Sequence, residues 1–242
     1  MKIKISLVLL LLFTAQISTA QFWNKTKIKG NNNYVTQKIS TQSYDKINIS
    51  SSIDVEIING KEGNIVLKAE ENLIEYIEIY CKNNTLTIKI RNNTNLDNDK
   101  QILVQVPVEK ISEITSSGSS SVSGKVVLNS EKLNLNLSGS GDVTLHLDVE
   151  NLNAKVVGSG SLTLKGSANT CDFNVAGSGA LEGKKLICSD VVARVAGSGD
   201  CNFTVNTTLK AYIVGSGSIN YTGEPEILES KTVGSGSIEN RN

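Results

Sequence analysis

The sequence predicts an all-β protein built as a single-chain parallel β-helix, a solenoid of about six coils of 18–21 residues with an N-terminal β cap. Three observations carry this. Gly-Ser-Gly triplets recur from Gly118 onward, at Gly118 (the imperfect copy Gly118-Ser119-Ser120), Gly139, Gly158, Gly177, Gly197, Gly215 and Gly234, at intervals of 21, 19, 19, 20, 18 and 19 residues. Apolar residues stand in three columns, two residues apart, before each triplet. A further apolar column follows each triplet, which leaves no room for a helix in the period. A fixed period of this length marks a repeat whose core is completed only by stacking on its neighbours.

Residues 1–20 are read as a cleaved secretory signal. Lys2 and Lys4 precede an apolar run from Ile5 to Phe13, and Ser18-Thr19-Ala20 supplies small residues at the cleavage point. The apolar run is far shorter than the roughly 20 residues a spanning helix needs. Export to the periplasm or the outer cell surface follows, and no later stretch is apolar enough to cross a membrane. Residues 21–33 carry three consecutive asparagines (Asn31–Asn33) and no period, and are expected to be a flexible leader.

Residues 34–242 are expected to form one solenoid domain, with 34–116 as the N-terminal cap and 117–242 as the repeat coils. Within the cap, Ile47, Ile49, Ile53, Val55 and Ile57 alternate as two strand segments around Ser50-Ser51-Ser52. Ile65 and Leu67 begin another strand, and Glu70 to Ile77 has apolar residues at helical spacing. Ile79 opens a hairpin that turns at Lys82-Asn83-Asn84 and returns through Leu86, Ile88 and Ile90. Asn92 to Lys100 is read as a polar loop, and Ile102 to Val108 as a strand. Such a segment would cover the first coil, whose end otherwise exposes core and strand edges.

In the coils, the column six residues before the triplet is Leu133, Leu152, Cys171, Val191, Leu209 and Leu228. The column four before is Leu135, Ala154, Phe173, Ala193, Ala211 and Ser230, and two before it is Leu137, Val156, Val175, Val195, Ile213 and Thr232. The residues between are largely polar, so one strand face is dry and the other wet. After the corner, Val122, Val143, Leu162, Leu181, Cys201, Ile219 and Ile238 start the next strand. The glycines suit a sharp corner under close stacking. The serines between them are expected to satisfy one another as a stacked hydroxyl row, with a linear ligand gripped by that row as the functional alternative.

Removing Lys2 and Lys4 from the 24 basic residues leaves 22 against 24 acidic ones, a balance that gives no reason to expect a nucleic acid partner. Four cysteines in an exported chain invite a disulfide, but Cys171 and Cys201 occupy apolar columns and read as small core residues. Cys188 is the candidate reactive thiol, and Cys81 has no evident partner; whether any of the four are bridged stays open. No Cys-x-x-Cys or Cys/His pair has metal-ligand spacing, so no metal or cofactor is expected.

The run Tyr44-Asp45-Lys46-Ile47-Asn48-Ile49, then Ile53-Asp54-Val55-Glu56-Ile57, then Lys82-Asn83-Asn84-Thr85-Leu86-Thr87-Ile88 and the Gly-Ser-Gly series resembles the DUF2807 family, the "putative auto-transporter adhesin, head GIN domain" group common in Bacteroidetes. The resemblance spans about residues 43–225 and implies a right-handed β-helix, an exported location and no established enzymatic activity.

Catalysis finds little support in the residues. Asp142 and Asp200 follow their triplets, but the equivalent positions are Ser161, Ala180, Ser218 and Ser237, so no acidic row forms. His146 and Asp148 share a strand face near Asp142, an arrangement that surface residues commonly make. The expected function is a non-catalytic, adhesin-like envelope protein that binds a cell-surface glycan or protein. A structural envelope scaffold is the alternative, with a polysaccharide-acting enzyme behind it. The expected contact face carries Asn134, Asn136, Asn153, Lys155, Asn174, Arg194, Lys210, Tyr212 and Lys231.

Overall fold

The computed structural model describes residues 26–242; the expected signal at 1–20 and the first residues of the expected leader lie outside the described residues. The chain begins with β1 (Thr26–Lys29) and β2 (Tyr34–Ser40), then lays down β3 (Lys46–Ser51) and β4 (Asp54–Asn59). β5 (Asn64–Glu70), a 3-10 helix at Glu71–Tyr76, β6 (Ile77–Lys82), β7 (Thr85–Ile90), β8 (Thr94–Asp97) and β9 (Leu103–Val108) follow. The repeat region comprises β10 (Glu113–Gly118), β11 (Ser121–Gly139), β12 (Asp142–Gly158), β13 (Ser161–Gly177), β14 (Ala180–Gly197), β15 (Asp200–Gly215), β16 (Ser218–Thr222), β17 (Ile227–Gly234) and β18 (Ser237–Asn240). Thr26–Lys29, inside the segment expected to be a leader, pairs in parallel with β8, inside the segment expected to be a loop.

From β10 to β18 every pairing is parallel, and the triplets fall in register: Gly118 on Gly139, Gly139 on Gly158, Gly158 on Gly177, Gly177 on Gly197, Gly197 on Gly215 and Gly215 on Gly234. The expected columns are the core as far as Ile213 and Ile219, while Leu228, Ser230 and Thr232 of the last coil are exposed and Ile238 is half-buried. Leu135, Ala154, Phe173, Ala193 and Ala211 stack in one file, all buried, and the Val122 to Ile219 file does the same behind the corner. Each coil thereby gives its apolar face to its neighbours, and the fold is a parallel β-solenoid of about seven turns.

The stack starts before the first triplet. β3 pairs with β10, placing Ser51 on Gly118, while β4 pairs with β11. On their other side, β3 pairs in parallel with β7 and β4 with β9. The coil formed by β3 and β4 is therefore sandwiched between two segments that come later in the chain. Only β6, antiparallel to β7, and β2–β5, antiparallel on β9, reverse direction and close this end. The expected hairpin and helical turn are both present there.

One corner shows why glycine is demanded twice. Gly177 has φ +108°, a region that a side chain opposes. Gly179 points inward, where a methyl group would lie 2.6 Å from the Gly160 carbonyl oxygen and 2.8 Å from Val156 Cγ1. Gly179→Ala should lower stability by about 1–3 kcal/mol, read from a urea unfolding curve. An unchanged midpoint would mean that the corners yield more than their packing indicates.

The imperfect triplet follows the same logic. Ser120, in the third-glycine place, is fully buried, and its hydroxyl meets that of Ser116 at 2.7 Å. Ser116 occupies a column that holds Leu137, Val156 and Val175 in later coils. Two serines thus replace an apolar residue and a glycine together, and each satisfies the other.

At the cap, Glu70 is buried, and its carboxylate accepts the backbone N–H of Asn32 at 2.6 Å and of Asp99 at 3.1 Å. Glu62 binds the loop after β9 in a similar way, accepting the N–H groups of Glu109 at 2.7 Å and Lys110 at 3.0 Å. Partial burial works to raise the Glu62 pKa, but the hydrogen bonds from Lys110, Glu109 and its own backbone outweigh it and hold the carboxyl below its ordinary range. A lowered folded-state pKa contributes stability that is present above the unfolded value and lost as pH falls through the folded one. The melting temperature should therefore drop from about pH 5 downward, and in Glu62→Gln that slope should be shallower. An identical slope in the variant would exclude Glu62 as a contributor.

Candidate binding face

Outward residues of the strand before each triplet form two files running along the solenoid. One is Glu113, Asn134, Asn153, Asp172, Val192, Lys210 and Glu229; the other is Thr115, Asn136, Lys155, Asn174, Arg194, Tyr212 and Lys231. Parallel register sets like beside like at the inter-strand spacing of about 4.8 Å, which makes the face a regular polar grid. All nine residues expected on the contact face lie on it.

The grid is held by its own hydrogen bonds. Asn153 Nδ2 donates to Asn134 Oδ1 at 3.1 Å. Asp172 Oδ1 accepts from Asn174 Nδ2 at 2.7 Å and from Arg194 Nη1 at 2.8 Å. Tyr212 donates its hydroxyl to Glu229 Oε1 at 2.7 Å, and this bond, followed by burial and the Glu229 charge, raises the phenol pKa. Lys155 makes no ion pair among the described residues. Side chains tied in this way lose little further freedom when a ligand binds.

Two adjoining depressions mark the middle of the face. One, of about 650 Å³, includes Asn151, Asn153, Thr170, Asp172 and Asp190; the other, of about 320 Å³, includes Asn134, Asn153, Lys155, Asp172 and Asn174. Asn153 and Asp172 border both. The first depression extends over the second corner, where Asn151, Thr170, Asp190 and Thr208 stack in register. That corner file was not among the expected contacts, because triplet-based alignment does not single it out; its signal is a polar residue directly before Leu133, Leu152, Cys171, Val191 and Leu209. Amides, hydroxyls and both signs of charge alternate here, so the surface offers paired donors and acceptors rather than a field of one sign.

Other expected features resolve differently. The triplet serines are exposed, and no hydrogen bond joins their hydroxyls among the described residues; backbone bonds such as Ser178 N–H to Gly158 C=O, at 2.9 Å, hold the corner instead. The stacked row exists as a spacing, without the self-satisfaction expected of it. His146 stacks between Val127 and Lys165, while Asp148 accepts from Ser167 Oγ at 2.8 Å, so the two do not form an acid–base pair. Cys188 is fully buried and bonded to Cys171 as a disulfide, which corrects its reading as a reactive thiol and that of Cys171 as a free core residue. Cys201 is buried and free, as its column implies, and burial pushes its thiol pKa up. Cys81 is also free.

The family described as "Putative auto-transporter adhesin, head GIN domain", DUF2807, matches residues 43–225. The chain belongs to the DUF2807 family. This DUF2807 protein is similar to a "putative adhesin" from Bacteroides fragilis NCTC 9343, with 24% identity, 88% of this chain and 100% of that chain covered, and a TM-score of 0.85. It is also similar to a "putative lipid binding protein" from Parabacteroides distasonis ATCC 8503, at 26% identity, 90% and 100% coverage and a TM-score of 0.74. A "putative adhesin" from Parabacteroides merdae ATCC 43184 shares 22% identity over 89% and 99% of the two chains, with a TM-score of 0.71. No curated protein matches this DUF2807 member. No helix among its described residues is long and apolar enough to cross a membrane.

Proposed function

We propose that the protein is an exported, non-catalytic envelope module of adhesin type that binds a glycan through the polar grid on the outer face of its pre-triplet strands. The observation that carries this is the pair of adjoining depressions bordered by Asn153 and Asp172, set in a grid of amides and hydroxyls with Tyr212 further along. Neutral polyhydroxylated ligands need donors and acceptors in alternation, and a repeated grid suits a repeated polymer. Family membership and the adhesin descriptions of similar structures support the same reading. The Cys171–Cys188 bridge fits an oxidising compartment, and so supports export. The lipid-binding description of one similar structure has less support here, since the coil interior is filled by side chains such as Phe173 and Phe203, with ring centroids 5.5 Å apart.

A glycan array probed with the protein should give hits that the Asn153→Ala/Asp172→Ala variant loses by tenfold or more in affinity, about 1.4 kcal/mol, with an unaltered melting temperature. Equal binding by both proteins would remove the site from this face. Protease shaving of intact cells should digest the protein if it works at the surface, and protection until the outer membrane is broken would end the adhesin reading.

A further inference from the structure

The two ends of the solenoid are finished differently. Antiparallel strands close the first end, whereas the last coil, β17 and β18, has no strand stacked on its outer side among the described residues. All eight residues of β17 are exposed. Leu228 is 52% exposed where its stacked equivalents Leu133, Leu152 and Leu209 are buried, and Ile227 and Val233 lie on the outward face, as Val214 does beneath Val233. A coil end with free backbone groups and uncovered core residues is a template for another strand.

The order of residues in β17 says which strand fits. Ile227-Leu228-Glu229-Ser230-Lys231-Thr232-Val233 is complementary to itself when reversed about Ser230. In an antiparallel pair centred there, Glu229 faces Lys231 of the other copy and Lys231 faces Glu229. Ile227 meets Val233 on the same outer side. On the inner side Leu228 meets Thr232, and Ser230 meets its counterpart. Cross-strand pairs of opposite charge and of apolar residues are both stabilising. Lys231 makes no ion pair among the described residues, so its charge is available; Glu229 accepts from Tyr212 at 2.7 Å and lies 4.0 Å from Lys210 Nζ, exposed contacts that a facing lysine would share. A two-fold axis through Ser230 crosses the opposite wall of the coil about half a turn further on, near Asn240. There Glu239 and Arg241, already paired to each other, flank the axis in the same alternating order.

The geometry points to a two-fold homodimer in which a second copy of this chain caps the last coil, β17 against β17 in antiparallel register centred on Ser230. A two-fold contact closes on itself and stops at two copies. The dimer doubles the length of the solenoid and presents two glycan-facing grids, a gain that is independent of whether those grids bind sugar.

Sedimentation equilibrium on the chain lacking only residues 1–20 tests this, across a range of loading concentrations. A monomer–dimer equilibrium is expected. Glu229→Lys and Lys231→Glu, each placing like charges opposite one another, should weaken it about tenfold or more. The double variant Glu229→Lys/Lys231→Glu restores opposite pairs and should restore the dimer, and mixing the two single variants should give a heterodimer. Circular dichroism melts should differ only slightly, since these side chains are exposed and Glu229→Lys gives up only the surface contacts with Tyr212 and Lys210. A monomer at every concentration, open-ended oligomers, or a dimer indifferent to both single reversals would each overturn the assignment.

Discussion

Phe173→Asp should abolish the cooperative melt of this solenoid. The Phe173 ring is fully buried, stacked in file between Ala154 and Ala193 and packed against Phe203. The alanines on either side leave the space that the ring fills, so truncation to alanine alone would cost about 3–5 kcal/mol. An aspartate adds an unpaired charge in an apolar file, which costs several kcal/mol more or forces the carboxyl to take up a proton. Together these reach the whole stability of an ordinary domain, about 5–15 kcal/mol. The paired control is Lys155→Ala on the outer face, expected within about 0.5 kcal/mol of the parent. Circular dichroism melts decide the matter, and equal tolerance of both changes would mean that the inner and outer columns are misassigned.

Replacing Cys171 and Cys188 together with alanine should cost about 3 kcal/mol, the amount expected for opening a loop of about 17 residues. The bridge joins adjacent coils at the second corner, with Cα atoms 6.6 Å apart, and both sulfurs lie inside. Reductant should therefore act slowly on the folded protein and quickly on the unfolded one. Non-reduced peptide mapping should find Cys171 joined to Cys188, with Cys81 and Cys201 free. Alkylation of Cys188 under native conditions would disprove the bridge.

The difference between these two sites shows what the sequence discloses. Phe173 was placed by arithmetic, because the period puts it in file with Leu135, Ala193 and Ala211 and alternation sets its direction. The disulfide escaped the same arithmetic. Cys171 belongs to a column counted back from the triplet, whereas Cys188 pairs with Ala168, on the far side of the second corner. Only a frame that follows the coil around both corners brings the two together. The binding face was visible as the polar alternates of the same strands, but its depressions also draw on the corner file of Asn151 and Thr170, whose position depends on how the chain bends. The early coils escaped for another reason. Ser51-Ser52-Ile53 stands where the triplet would be, and β7 and β9 enter the stack out of chain order, so no period runs through them. The exposure of the last coil was hidden because Leu228, Ser230 and Thr232 continue the inward columns, and a column does not mark which of its members a neighbouring coil covers.

The coil of β3 and β4 is flanked on both sides by residues synthesised after it, β7 with β9 and β10 with β11. A chain emerging from one end of a tunnel thus cannot finish that coil when it appears. It must wait, with Ile47, Ile49 and Val55 unsheltered, until about residue 124 has emerged and both neighbours can close. Everything afterwards is different in kind, because each new coil docks on one already in place and needs only its own 18 to 21 residues. Growth of this protein should therefore show one long lag followed by short, even steps, with the lag as the interval in which the nascent chain most needs protection from aggregation.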